Sequence, residues 1–284
     1  MARSCLPALL AVLASCSSSS SPTPAPSTTP ATPTVTVSAA TTAPSAAPSA
    51  APSASASAAP VTPTAATDTI DTSKGPLTLR PLHHASTLFV FQGKTIYLDP
   101  YSEGSLAELP KATYIFISDI HPDHLDPAAL TALRGDKTVL VGPPAVADKV
   151  PGLVVLKNGD KRTFEGFDVE AIPMYNVKRG PAPGKLFHDK GRGDGYVFTF
   201  GDKRVYASGD TECTDEMKAL KQIDVALVCM NLPYTMPPTE AAECVKAFRP
   251  KVVYPYHYRG SNLDEFTTPL RGEKGIEIRQ RNWY

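Results

Sequence analysis

Apolar and polar positions alternate with a period of two over residues 77–82, the pattern of a half-buried strand. Residues 87–91 and 94–98 flank Gln92-Gly93 and read as a hairpin. A continuous apolar run rich in β-branched and aromatic residues predicts a buried strand over 113–118. Asp126-Pro127 predicts a helix start, because Asp caps free N–H groups and Pro sits where no donor is needed. That helix runs to Leu133. Strands follow over 138–141, 153–156, 161–164 and 167–173, with a short helix over 143–149. After a long loop over 176–194, residues 195–200 and 204–208 form a second hairpin around Gly201-Asp202. Helices over 214–220, 239–248 and 262–270 then alternate with strands over 225–230, 251–254 and 275–279. Hairpins give antiparallel pairs, and strand–helix alternation puts helices outside. Two such series, one on each side of the long loop, predict two sheets face to face with helices on both outer sides.

The start of the chain follows another rule. From Ser4 to Thr67 there is no Asp, Glu, Lys, Arg or His, and 11 of the 29 prolines lie there. Such an Ala/Ser/Thr/Pro stretch lacks the apolar surface to offset the entropy of ordering. Arg3 followed by the apolar residues 6–13 reads as a short export signal. Leu13-Ala14-Ser15-Cys16 then resembles a bacterial lipobox, which implies cleavage before Cys16 and acylation of its thiol. The expected organisation is a signal over 1–15, a lipidated, disordered linker over 16–71, and a folded domain over 72–284. The expected location is the cell envelope, lipid-anchored and facing the periplasm or the exterior. Without Arg3 the chain carries 27 Lys and Arg against 28 Asp and Glu, which argues against a nucleic-acid-binding surface. Cys213, Cys229 and Cys244 remain after the leader, an odd number that allows one disulfide or none. Cys229 lies in an apolar run and is expected to be buried and inert.

The chemistry concentrates in Asp119-Ile-His121-Pro-Asp123-His124-Leu-Asp126, where a buried strand gives way to a helix. Imidazole and carboxylate together at one tight turn suit zinc, manganese or iron. The plain alternative is a polar helix entry in which Asp123 or Asp126 only caps. Two further polar groups at strand ends, Gly209-Asp210-Thr211 and Tyr256-His257-Tyr258, favour the metal reading.

These three motifs, in this order and at these intervals, resemble the metallo-β-lactamase superfamily over about residues 76–284. His84-Ala-Ser86, Asp99-Pro100, Ser208-Gly-Asp-Thr211 and Tyr234-Thr-Met236 look most like its ascorbate-6-phosphate lactonase branch. The resemblance implies an α/β fold, a four-layer αβ/βα sandwich. It implies a hydrolase in which a water or hydroxide between one or two divalent metals, zinc before manganese or iron, attacks an ester, lactone or phosphoester. Asp119 and His121 would hold the first metal, Asp123, His124 and His257 the second, and Asp210 both. Asp123 would also orient the nucleophile. Cys16 would be the lipidated residue.

The chain departs from the superfamily's H-x-H-x-D-H by Asp119, and has Asn176, a candidate metal or substrate contact but a weak oxygen ligand at best, near where a further His is usual. His188 either folds back to complete the first site or faces substrate or solvent. Asp99 is expected to hold a metal-bound His from behind, or to be a turn residue; His84 and Tyr234 are expected at the pocket. The loop over 177–194 holds five Lys and Arg against two Asp. It reads as a basic lid for an anionic small molecule, or as a solvated loop. The departures also motivate the alternative of a member that binds a ligand or metal without turnover. Oligomeric state is left open.

Overall fold

The computed structural model describes residues 67–284. The export signal, Cys16 and nearly all of the linker lie outside the described residues. The first sheet holds seven strands in chain order: β1 (Asp68–Thr72), β2 (Gly75–Pro81), β3 (Thr87–Phe91), β4 (Lys94–Leu98), β5 (Tyr114–Phe116), β6 (Val139–Gly142) and β7 (Val154–Val155). The second also holds seven: β8 (Lys161–Phe164), β9 (Phe167–Met174), β10 (Gly193–Phe200), β11 (Lys203–Ala207), β12 (Val225–Cys229), β13 (Val252–Tyr256) and β14 (Glu277–Ile278). In each sheet the first three pairings are antiparallel and the last three parallel. The two halves of the domain thus repeat one topology. Helices α1 (Pro127–Leu133) and α2 (Pro144–Ala147) belong to the first half; α3 (Asp215–Lys218), α4 (Pro238–Phe248) and α5 (Asp264–Leu270) belong to the second. This is the sandwich that the hydrophobic pattern predicts.

The period of two sorts the core. In β5, Tyr114 and Phe116 face the second sheet, and Ile115, with Ile117 just past the strand, joins the cluster that includes Leu130 and Leu133 of α1. Between the sheets the rings interlock. Phe116 lies 4.9 Å and Phe89 5.6 Å from Phe198, and Phe91 lies 5.1 Å from Phe200. Removing one such ring from a packed core costs about 3–5 kcal/mol. On the far side α4 buries Ala241, Ala242, Cys244, Val245 and Phe248, spaced as one helical face.

One detail differs from the sequence reading, one settles what it left open, and one agrees with it. β1 begins at Asp68, inside the span assigned to the linker, and pairs antiparallel with β2. The three described cysteines resolve into a Cys213–Cys244 disulfide and a buried free Cys229. Asp126 does cap α1: its carboxylate accepts from Ala128 N (2.8 Å) and Ala129 N (3.2 Å), and it faces no imidazole of the cluster described next.

Candidate metal centre

The polar residues gather where strands end. β5 runs out at Phe116 into a tight turn that leads to α1, with His124 N and Leu125 N both donating to His121 O (3.0 and 2.8 Å). That turn throws Asp119, His121, Asp123 and His124 to one side. From the second sheet, Asp210 follows β11 and His257 follows β13. Gly209, at φ 60°, makes the bend before Asp210; a Cβ there would stand 2.5 Å from Met174 Sδ, so only glycine fits. Asp194 N donates to Ser118 O at 2.9 Å, which ties the two sheets together beside the cluster.

Asp210 is the hub. Its Oδ1 lies 2.9 Å from His257 Nε2, and its Oδ2 lies 3.3 Å from His188 Nε2 and 3.4 Å from His124 Nε2. Asp123 Oδ2 stands 3.6 Å from His257 Nε2 and 3.8 Å from His124 Nε2. Asp119 Oδ2 stands 3.0 Å from His121 Nδ1 and 3.8 Å from His188 Nε2. None of His124 Nε2, His188 Nε2, His257 Nε2 and Asp210 Oδ1 has an aligned hydrogen-bond partner, though all are buried. Two ligands at about 2.1 Å on a tetrahedral ion stand about 3.4 Å apart. The observed separations are of that size. Three groups have ligand atoms within 4.8 Å of one another: Asp119, His121 and His188; His124, Asp210 and His257; His84, Asp123 and His257. The donor set therefore fits divalent metal ions.

Hydrogen bonds from behind fix the imidazoles. Asp99 Oδ2 accepts from His124 Nδ1 (2.9 Å) and from Ser118 Oγ (2.6 Å), and Asp99 Oδ1 accepts from Ser118 N (2.7 Å). His124 Nε2 is left as the free lone pair toward Asp210. Asn176 does the same for His188: its Oδ1 accepts from His188 N (2.8 Å) and Nδ1 (2.7 Å). Its Nδ2 donates to Tyr234 O at 2.8 Å. Asn176 thus directs His188 inward and turns none of its own polar atoms to the cluster. His84 bonds Asp123 Oδ2 through Nε2 (2.9 Å) and the Tyr284 hydroxyl through Nδ1 (2.8 Å). Arg259 N also donates to that hydroxyl, at 2.8 Å. These contacts are satisfied by a hydroxyl donating to Nδ1 and an Nε2–H donating to Asp123.

Charges and protons follow from this packing. Burial opposes ionisation of Asp210, but the charges of His257 and His124 hold its carboxyl well below the usual range. Burial likewise opposes ionisation of Asp119, and the His121 bond with the charges of His124 and Arg192 brings it to about 2. Burial disfavours the cation of His124, but Asp210, Asp99 and Asp123 around it raise its pKa. Burial drives His84 the other way, to about 4, despite its bond to Asp123.

The loop over 177–194 is not a free basic loop. Arg179 pairs with Glu212 (2.9 Å) and Glu240 (3.1 Å), Lys178 with Glu240 (3.0 Å), Lys190 with Glu216 (2.5 Å) and Arg192 with Asp119 (2.8 Å). Buried Glu212 also accepts from the backbone N–H of Val177, Lys178 and Arg179 at 2.9–3.0 Å. Four of the loop's five cations are therefore spent on strapping it to the body. Exposed large apolar side chains stand on the segments that carry Asn176 and Tyr234: Val177 is 58 %, Leu232 46 % and Tyr234 47 % exposed. The Tyr234 ring stands 5.1 Å from that of Phe187, the neighbour of His188. Arg192, Glu212 and Tyr284 were not singled out by the sequence reading. Arg192 was legible only as one more lid cation, and Tyr284 meets His84 across 200 residues with no local signal.

Residues 78–257, more than half of the chain, match the β-lactamase superfamily domain. The chain belongs to the metallo-β-lactamase superfamily. Among solved structures, one described as a metal-dependent hydrolase from Parabacteroides distasonis is 36 % identical, with a TM-score of 0.72 over 76 % of this chain and 99 % of that one. A UPF0173 metal-dependent hydrolase from Symbiobacterium thermophilum is 32 % identical over 195 residues, 63 % of this chain and 83 % of the relative. One from Pelotomaculum thermopropionicum is 31 % identical over 195 residues, 62 % and 82 % of the two chains. Igni18, a metallo hydrolase from Ignicoccus hospitalis, shares the fold at 20 % identity, with a TM-score of 0.59 over 72 % of this chain and 94 % of that one.

Proposed function

We propose that the domain is a metal-dependent hydrolase of the ester, lactone or phosphoester class. The observation that carries this reading is the convergence of buried, unpartnered His124, His188 and His257 nitrogens on Asp210. Asp119, His121 and His188 are the ligands of one half, Asp123, His124 and His257 those of the other, and Asp210 stands between them. Divalent ions held there supply Lewis acidity and lower the pKa of water. The protein's own groups do the rest. Asp123 and His121, with side chains 26 % and 38 % exposed, are the ligands that reach the open side, and Asp123 orients the attacking water there. His84 holds Asp123 in place, and Asp99 and Asn176 hold the rings of His124 and His188.

The mouth favours an ester or lactone with an apolar arm over a phosphoester. Tyr234 is exposed against Phe187, the neighbour of His188, and Val177 and Leu232 are exposed on the segments next to Asn176 and Tyr234, whereas most cations of the 177–194 loop are already paired. The lactonase-like branch belongs to this reading. So does attachment at the cell envelope through Cys16; the Cys213–Cys244 disulfide supports an oxidising compartment.

The test is metal content by elemental mass spectrometry, followed by turnover with manganese, zinc and iron. The substrates are nitrophenyl esters of increasing chain length, lactones and a nitrophenyl phosphodiester. Expected are one to two metals per chain and ester or lactone hydrolysis that an Asp210→Ala variant loses. No bound metal after incubation refutes the reading. Bound metal without turnover replaces it with a binding role.

A further inference from the structure

Asp119 is one of the two positions at which this chain leaves the superfamily pattern, and it carries a second oddity. Its carboxylate is fully buried, and a guanidinium from the lid grips both oxygens: Arg192 Nε to Oδ1 at 2.9 Å and Nη2 to Oδ2 at 2.8 Å. The third nitrogen, Nη1, donates to Phe187 O at 2.8 Å, and Nη2 also stands 3.5 Å from His121 Nε2. The fork is used up inside the protein. To bind a substrate anion it would have to release a buried carboxylate, which is costly. Arg192 therefore acts inward, on the centre.

Putting Asp where the superfamily has His adds one negative charge to the first half of the site. Arg192 adds one positive charge against it. We infer that Arg192 is a positioning residue that makes Asp119 behave as a neutral ligand, so that the two opposite charges cancel as a pair. The same side chain fixes the geometry of that half from both ends. Its fork holds Asp119 on the turn after β5, and its bond to Phe187 O holds the residue before His188. The inference rests on the metal reading above. It adds that occupancy of the first half depends on the Asp119–Arg192 pair, and on neither residue alone.

The test is a double-mutant cycle on the full chain with Mn²⁺ or Zn²⁺ alone. Bound metal per chain and the Kd of the weaker site, from competition with a chromogenic chelator, are measured for five proteins: wild type, Arg192→Gln, Arg192→Lys, Asp119→His and Asp119→His/Arg192→Gln. Melting temperatures establish that each is folded. Removing the guanidinium beside Asp119 weakens the site, because the fork and the Phe187 tie are lost. Removing it beside Asp119→His strengthens the site by about tenfold or more, because guanidinium and metal no longer repel across a neutral imidazole. Arg192→Lys, which keeps the charge but not the fork, falls between wild type and Arg192→Gln. If Asp119→His does not fold, Asp119→Asn, of the same shape, replaces it with the same expected reversal. Equal effects of Arg192→Gln in both backgrounds overturn the inference while leaving the metal reading intact. A wild type that takes up no metal overturns both.

Discussion

Asp194 gives the sharpest pH test of the structure. It lies on β10, fully buried, with Oδ1 accepting from Asn158 Nδ2 at 2.5 Å and Oδ2 unpartnered. Burial pushes its carboxyl up from an ordinary 3.8 to about 7, against the opposing bond from Asn158. An acid whose folded pKa is raised binds more protons in the fold than in the unfolded chain between those two values. Stability is therefore fully present below about 4 and is lost as pH climbs through about 7. At 1.36 kcal/mol per pH unit, the loss between pH 5 and pH 8 comes to about 3 kcal/mol. Asp194→Asn keeps the shape and removes the titration. Urea unfolding of both proteins at half-unit steps from pH 5 to 8.5, in excess chelator, isolates the effect: the difference between the two curves cancels the groups they share. The variant is expected to gain about 3 kcal/mol on wild type across that span, or about 6–12 °C in melting temperature for a domain of this size. Curves that stay parallel would refute the assignment of a buried, reluctant carboxylate.

Asp99→Asn loosens the ring of His124, and metal affinity is expected to fall about 10- to 100-fold. Chelator competition reads it, and an unchanged Kd would mean that Asp99 is only a turn residue. The Cys213–Cys244 bridge closes 31 residues of sequence, and its loss is expected to cost about 3–4 kcal/mol. Urea midpoints with and without reductant, beside Cys213→Ser/Cys244→Ser, check this. Coincident midpoints would mean that the bridge adds nothing.

What was legible beforehand was local. The alternation over β2 to β5 and the Asp-Pro start of α1 each announce themselves within ten residues, so the sandwich follows from the chain. The Asp119–Asp126 turn is legible for the same reason, and Asp99 stood out because it ends a strand. β1 was hidden because Asp68-Thr-Ile-Asp-Thr72 is an edge strand with exposed and half-buried positions, joined to a Thr- and Ala-rich stretch. The pairs that shape the centre span large separations: 73 residues for Asp119 and Arg192, 200 for His84 and Tyr284. Nothing within a local window records such meetings. The division of labour between Asn176 and His188 also needed the fold. Only the three-dimensional path shows that the amide spends its oxygen on the imidazole.

The repeated topology has a consequence for assembly. The chain passes from the first sheet to the second once, between Val155 and Lys161. Four of the proposed ligands come from the first half and three from the second, so neither half holds the whole set. An ion bound to both acts as a rivet across a seam otherwise closed by interlocked phenyl rings. At a thousand times its Kd, that rivet adds about 4 kcal/mol to the docked state. A chain whose halves have not met cannot collect it.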